Sequence, residues 1–146
     1  MKKSIADESA LAGEAEEFSR FLARPGRRGA TLVTLSGELG AGKTAFTKAV
    51  AKTFGVKEVV NSPTFVLEKV YKLPEGRSFK RLVHIDAYRL ETGRDLAALG
   101  FDELMRDDGN LVFLEWPEKV SGALPEPFAR VLLEALPDGA RAISYA

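Results

Sequence analysis

The stretch Gly37-Glu38-Leu39-Gly40-Ala41-Gly42-Lys43-Thr44 fits the phosphate-binding pattern G-x-x-x-x-G-K-[ST] at every fixed position. Each residue type has a task in such a loop. Glycines let successive backbone N–H groups turn inward around phosphate oxygens, with no Cβ in the way. The Lys43 ammonium can reach the β- and γ-phosphates, and the Thr44 hydroxyl can ligate Mg²⁺. A helix that starts here adds the positive end of its dipole to the same anion site. The chemistry in prospect is the binding of a nucleotide's phosphates.

Two acids elsewhere suit the same purpose. The apolar run Lys80-Arg81-Leu82-Val83-His84-Ile85 ends on Asp86, and Leu111-Val112-Phe113-Leu114 ends on Glu115 before Trp116 and Pro117 stop it. An acid at the tip of an apolar strand can hold Mg²⁺ or a metal-bound water. One of the pair would hold the metal while the other orients or activates the attacking water. The residues alone leave that division open. Thr64, after Asn61-Ser62-Pro63, reads equally as ordinary strand-start chemistry or as a switch residue sensing the γ-phosphate through Mg²⁺.

Other candidates carry less. His84 is the only histidine, and two residues from Asp86 it shares a strand face with it. With no second base or ligand beside it in the sequence, a structural role is the better reading. Trp116 reads as a packing residue at the sheet edge, or as part of a partner surface. Arg24-Pro25-Gly26-Arg27-Arg28-Gly29 reads as a solvated turn rather than a nucleotide contact. Asp107-Asp108-Gly109-Asn110 is a turn without the spacing of a calcium loop.

The elements needed to position these groups are legible around them. Ala30-Thr31-Leu32-Val33-Thr34-Leu35-Ser36 is β-branched and apolar, as a strand feeding the loop should be. After the loop, Phe46, Ala49, Val50 and Phe54 recur at helical spacing, and Gly55 is placed to end that helix. A helix over about 9–23, with Ser9 as its N-cap, shows an apolar face of Leu11, Ala15, Phe18 and Leu22. Phe65 to Tyr71 reads as a strand, and the loop Leu73-Pro74-Glu75-Gly76-Arg77-Ser78 makes it an antiparallel neighbour of the strand ending at Asp86. Short helices are expected from Arg94 to Leu99 and from Phe101 to Met105. A closing hairpin occupies about 129–145, around Pro137-Asp138-Gly139.

Composition sets the outer limits. A chain of 146 residues with 45% apolar and 29% charged residues suits one globular α/β domain. Lys plus Arg equals Asp plus Glu at 21 each, so no global field favours nucleic acid, and any such role would run through a partner. Without cysteine there is no disulfide framework, thiol nucleophile or thiolate metal site. Met1-Lys2-Lys3 is followed by acids rather than an apolar run, and nothing approaches a membrane span; the expected location is the cytoplasm.

Taken together, G-E-L-G-A-G-K-T at 37–44, Ser62-Pro63-Thr64-Phe65, His84-Ile85-Asp86-Ala87-Tyr88-Arg89-Leu90 and Leu114-Glu115-Trp116-Pro117 resemble the TsaE (YjeE) family. The motifs follow the family's order and approximate intervals, from about Thr31 to Glu118 and more loosely beyond. The resemblance implies a P-loop NTPase-like three-layer fold with a mixed parallel and antiparallel sheet. It implies an ATP/ADP-binding, Mg²⁺-dependent ATPase needed to make threonylcarbamoyladenosine at adenosine 37 of tRNA. TsaD and TsaB would be its partners; they would hold the tRNA, so that contact with tRNA is indirect, and hydrolysis would reset the complex between turnovers. By position, residues 37–44 would bind phosphate, with Lys43 catalytic. Thr44 and Glu115 would be Mg²⁺ ligands, Asp86 the required strand-end acid and Thr64 the switch threonine. Arg141 would be a looser nucleotide contact. The first thirty or so residues depart from the family's pattern, so adenine contacts are not assigned there.

A small P-loop nucleotide or metabolite kinase is the alternative. It would need an acceptor pocket and an arginine-bearing lid, and Arg77, Arg89 and Arg94 make no recognisable lid. A GTPase lacks its guanine-reading Asn-Lys-x-Asp segment here. No arginine finger is evident in cis, so turnover by the isolated chain should be slow.

Overall fold

The computed structural model describes residues 2–23, 28–38, 40–57 and 68–146. They form one seven-stranded sheet in the order β1-β7-β6-β2-β5-β4-β3, with helices on both faces. The strands are β1 (Lys2–Ile5), β2 (Thr31–Ser36), β3 (Glu68–Lys72), β4 (Arg81–Asp86), β5 (Asn110–Glu115), β6 (Ala129–Ala135) and β7 (Arg141–Tyr145). The helices are α1 (Glu8–Leu22), α2 (Lys43–Thr53), α3 (Gly93–Ala98) and α4 (Phe101–Arg106). The four consecutive strands β6, β2, β5 and β4 are parallel, while β7, β1 and β3 add antiparallel pairings at the two sides.

Strand composition explains the layering. β2, β4 and β5 are buried along almost their whole length, as parallel strands covered on both faces must be. Their alternation feeds two separate cores. Val33, Leu35, Leu82, Leu111 and Phe113 pack towards α1 and α2. Leu32, Val83, Ile85, Val112 and Leu114 pack towards Leu96 and Phe101 of α3 and α4. On the first face Phe18 joins the layers: its ring centroid lies 5.4 Å from Phe46, 6.3 Å from Phe113 and 4.8 Å from Tyr145.

Two details depart from the sequence reading. Asp7, not Ser9, caps α1: its Oδ1 accepts from the Ala10 N–H at 2.8 Å. Both residue types cap well; the choice falls to Asp7 because the backbone is still extended there as the chain leaves β1. β1 itself was not anticipated. It has four residues, only Ile5 of them buried, too short for any periodicity to register. Pairing with β7 supplies what its sequence does not.

The rest follows expectation closely. Gly55, at φ 94°, closes α2, and the hairpin of β6 and β7 stands where it was read. β3 and β4 are antiparallel neighbours, with Tyr71 opposite Leu82. The first part of the strand read at 65–71, with Ser62, Pro63 and Thr64, lies outside the described residues. The Arg24–Arg27 part of the basic turn does too. Asp107 begins the turn before β5, where its Oδ1 accepts from the Gly109 N–H and its other oxygen pairs with Arg81. No helix among the described residues is long and apolar enough to cross a membrane.

Candidate functional site

The site lies at the carboxyl ends of the parallel strands. From β2 the chain passes through α2 to β3 and β4, and later to β6 on the opposite side of β2. In open α/β sheets ligands bind at such a reversal of strand order. The loop after β2 is shaped by its glycines. Gly37 has φ 144°, and a Cβ there would strike the carbonyl oxygen of Leu133 on β6. Gly42 has φ 104° and supplies the N-cap of α2 without a side chain, so no side chain occupies the first N–H groups of that helix. Those N–H groups and the helix dipole face the same opening.

Register brings the acids to that opening. Asp86 is the partner of Glu115 across β4 and β5, and Glu115 is the partner of Leu35 across β5 and β2. Partners in a parallel ladder project to one face, and Leu35 projects towards α2. Asp86 and Glu115 therefore stand side by side beneath the start of α2, both buried. Thr44 Oγ1 lies 3.2 Å from Glu115 Oε2. Asp86 Oδ1 accepts from the Tyr88 N–H at 2.9 Å, which holds the chain in a turn just beyond β4.

Lys43 is buried, and its ammonium donates to the carbonyl oxygens of Gly37 and, at 3.0 Å, Glu38. It also lies 4.2 Å from the centroid of the Trp116 ring. Burial lowers its pKa below the ordinary lysine value, opposed by the carboxylates of Glu115, Glu118 and Asp86. Trp116 is thus not at the sheet edge: β5 is an inner strand, and the indole stands over the phosphate loop. Its backbone adopts φ 62° and ψ 53°, a region costly for a large side chain. Its N–H still bonds Leu35 O at 3.2 Å, and Pro117 then begins a tight turn. Tyr88 covers its outer side, ring centroids 5.0 Å apart. Lys43, Thr44, Asp86, Glu115 and Trp116 all line one pocket of about 340 Å³, within the size range of small-ligand sites.

His84, read from the sequence as structural, lies beside one of the candidate acids. It is fully buried, and its Nε2 lies 2.5 Å from Glu115 Oε2, the oxygen that Thr44 also contacts. The signal was present in the sequence as the shared face of His84 and Asp86. What was missing was the register that sets Glu115 beside them.

Arg141 comes from the far side of the sheet. Its side chain runs along Gly42, with Nε 3.8 Å from where a Cβ would stand, and Nη1 donates to Gly139 O at 3.1 Å. Together with Ile5, Asp7 and Leu11 it borders a second pocket of about 260 Å³, next to the loop. The unanticipated β1 thus helps to form a wall of this site. Of the sequence-derived candidates, Gly37, Glu38, Gly40, Ala41, Gly42, Lys43, Thr44, Asp86, Glu115 and Arg141 fall on or beside the loop and its pockets. Leu39 and Thr64 lie outside the described residues.

The donor set suits Mg²⁺. Thr44, Glu115 and Asp86 offer only hard oxygen atoms, and Mg²⁺ is ordinarily held by one or two carboxylates together with substrate phosphates.

Known proteins resemble this chain in sequence and in fold. The family described as threonylcarbamoyl adenosine biosynthesis protein TsaE matches residues 6–143. The chain is 40% identical over 116 residues to the tRNA threonylcarbamoyladenosine biosynthesis protein TsaE of Treponema pallidum, covering 80% of this chain and 82% of that protein. It is 36% identical over 132 residues to the protein of the same name from Bacillus subtilis, covering 88% and 75% of the two chains. A crystal structure of Bacillus subtilis YdiB superposes with a TM-score of 0.70 at 26% identity, over 99% of this chain and 83% of that one. The phosphate loop, the paired strand-end acids and these matches lead to one assignment: the chain belongs to the TsaE family.

Proposed function

We propose that this protein binds ATP with Mg²⁺ and hydrolyses it slowly, as a subunit required for threonylcarbamoylation of adenosine 37 in tRNA. The observation that carries the reading is the meeting of Thr44 and Glu115, 3.2 Å apart, at the start of a helix whose preceding loop fits the phosphate-binding pattern. Hydrolysis adds water to the γ-phosphorus and breaks the bridging bond to the β-phosphate, leaving ADP and inorganic phosphate. Thr44 and Glu115 would hold Mg²⁺, which when bound offsets the charge gathering on the phosphate oxygens. The loop N–H groups and Lys43 bind the β- and γ-phosphates through charge-assisted hydrogen bonds. Asp86, beside Glu115, orients the attacking water and accepts its proton. Trp116 and Tyr88 limit access of solvent from the outer side.

Membership of the TsaE family supports a place in threonylcarbamoyladenosine synthesis, and the names of the relatives point to tRNA as the final substrate. TsaD and TsaB are the partners that this membership suggests, with contact to tRNA made through them. The even balance of charge, 21 basic against 21 acidic residues, accords with a subunit that leaves tRNA to others.

The test is Mg²⁺-ATP hydrolysis by the purified chain, alone and with TsaD, TsaB and tRNA. Slow turnover that rises with the partners and is lost in Glu115→Ala is the expected result. Indifference to the partners, with phosphate appearing on a small acceptor, would indicate a kinase instead.

A further inference from the structure

We propose that His84 is a positioning residue for Glu115: its imidazole fixes the carboxylate oxygen that also meets Thr44 at the start of α2. The inference rests on the reading that Glu115 and Thr44 hold Mg²⁺, and it concerns a residue to which that reading gives no part.

His84 is fully buried in β4, with β5 on one side and Lys69 of β3 opposite it on the other. Nε2 approaches Glu115 Oε2 to 2.5 Å. An ionised carboxylate can only accept, so in that state of Glu115 it is Nε2 that carries the hydrogen. Nδ1 is buried and has no hydrogen-bond partner among the described residues. A ring placed only to fill the core would be better replaced by a hydrocarbon, which has no polar atom to desolvate. The one polar contact His84 makes among the described residues is therefore the feature that its polarity serves.

That contact has a mechanical consequence. A glutamate carboxylate turns freely about its last torsion, where the energy wells are broad. Thr44 touches the same oxygen, but its hydroxyl is itself assigned to the metal. His84 sits within the sheet and is not, so it is the donor that stays with Oε2. Hydrogen-bonded partners of this kind around a ligating carboxylate commonly govern metal affinity as strongly as some ligands do.

The test reads Mn²⁺, standing in for Mg²⁺, by electron paramagnetic resonance in the presence of ADP. His84→Leu removes the donor at similar volume, and His84→Gln returns an amide N–H near the position of Nε2. We expect His84→Leu to weaken Mn²⁺ binding about tenfold or more. Metal-free ADP affinity should change by less than about twofold, and His84→Gln should recover most of the loss. A folded His84→Leu chain with the Mn²⁺ affinity of the wild type would overturn the proposal. If leucine unfolds the chain, His84→Asn replaces it: its amide is too short to reach Glu115, so equal Mn²⁺ affinity in His84→Asn and wild type would also overturn it. Glu115→Gln separates the two levels. If it binds Mn²⁺ as the wild type does, the metal-site reading fails and the role of His84 with it. If Glu115→Gln loses Mn²⁺ while His84→Leu does not, only the role of His84 fails.

Discussion

Thr44 Oγ1 donates to Glu115 Oε2 at 3.2 Å, across 71 positions of sequence. Thr44 belongs to the first turn of α2, and Glu115 is the last residue of β5. They meet because β5 lies directly beside β2, with Glu115 opposite Leu35, and the loop after β2 turns back over the strand ends. On the proposed function this hydroxyl and carboxylate would form the metal-binding side of a phosphate site, and the consequences can be measured one residue at a time.

Glu115→Gln keeps the side chain's shape and removes its charge. Mg²⁺-dependent phosphate release should fall about ten- to a hundredfold. ADP binding measured by calorimetry without metal should change little. Equal losses in both would place Glu115 in nucleotide binding rather than in the metal's geometry.

Lys43→Ala removes the ammonium that the loop carbonyls hold, where the proposed phosphate site lies. Loss of charge-assisted bonds worth about 1.5–3 kcal/mol should weaken ADP ten- to a hundredfold. Thermal stability should hardly move, since burial already disfavours that charge. A large fall in the melting temperature would contradict this account.

Glu68 carries a pH dependence. Its Oε2 is buried with no hydrogen-bond partner among the described residues, and burial raises its pKa above the ordinary 4.5. The folded state then binds more protons than the unfolded state in the window just above 4.5, so this group's contribution to stability falls as pH rises through it. Glu68→Gln should raise the melting temperature at neutral pH by about a degree or more, with the gain fading towards pH 4. A gain that is the same at both pH values would argue against the sign.

Phe18→Ala tests the layer that holds α2 over the sheet. Phe18 is fully buried and meets Phe46, Phe113 and Tyr145. Truncation should cost about 3–5 kcal/mol in denaturant unfolding, like other large core deletions. A cost under about 1 kcal/mol would mean that the aromatic junction contributes little to stability.

The sequence by itself determined the local parts of this protein: the loop at 37–44, the strand before it, the helix after it and the two strands tipped with acid. These were legible because glycine pattern, apolar periodicity and turn residues act over a few neighbouring positions. Only the tertiary structure decided which of those parts stand together. The parallel register put Asp86 beside Glu115 and His84 within reach of the same carboxylate, so a residue read as structural proved to touch the site. The inner place of β5 carried Trp116 from a supposed edge to a position over Lys43. The pairing of β1 with β7 brought Ile5, Asp7 and Arg141 to the flank of the loop. Strand order and register arise from contacts between segments far apart in the chain, each satisfied by pairing and burial with a partner that local sequence does not name.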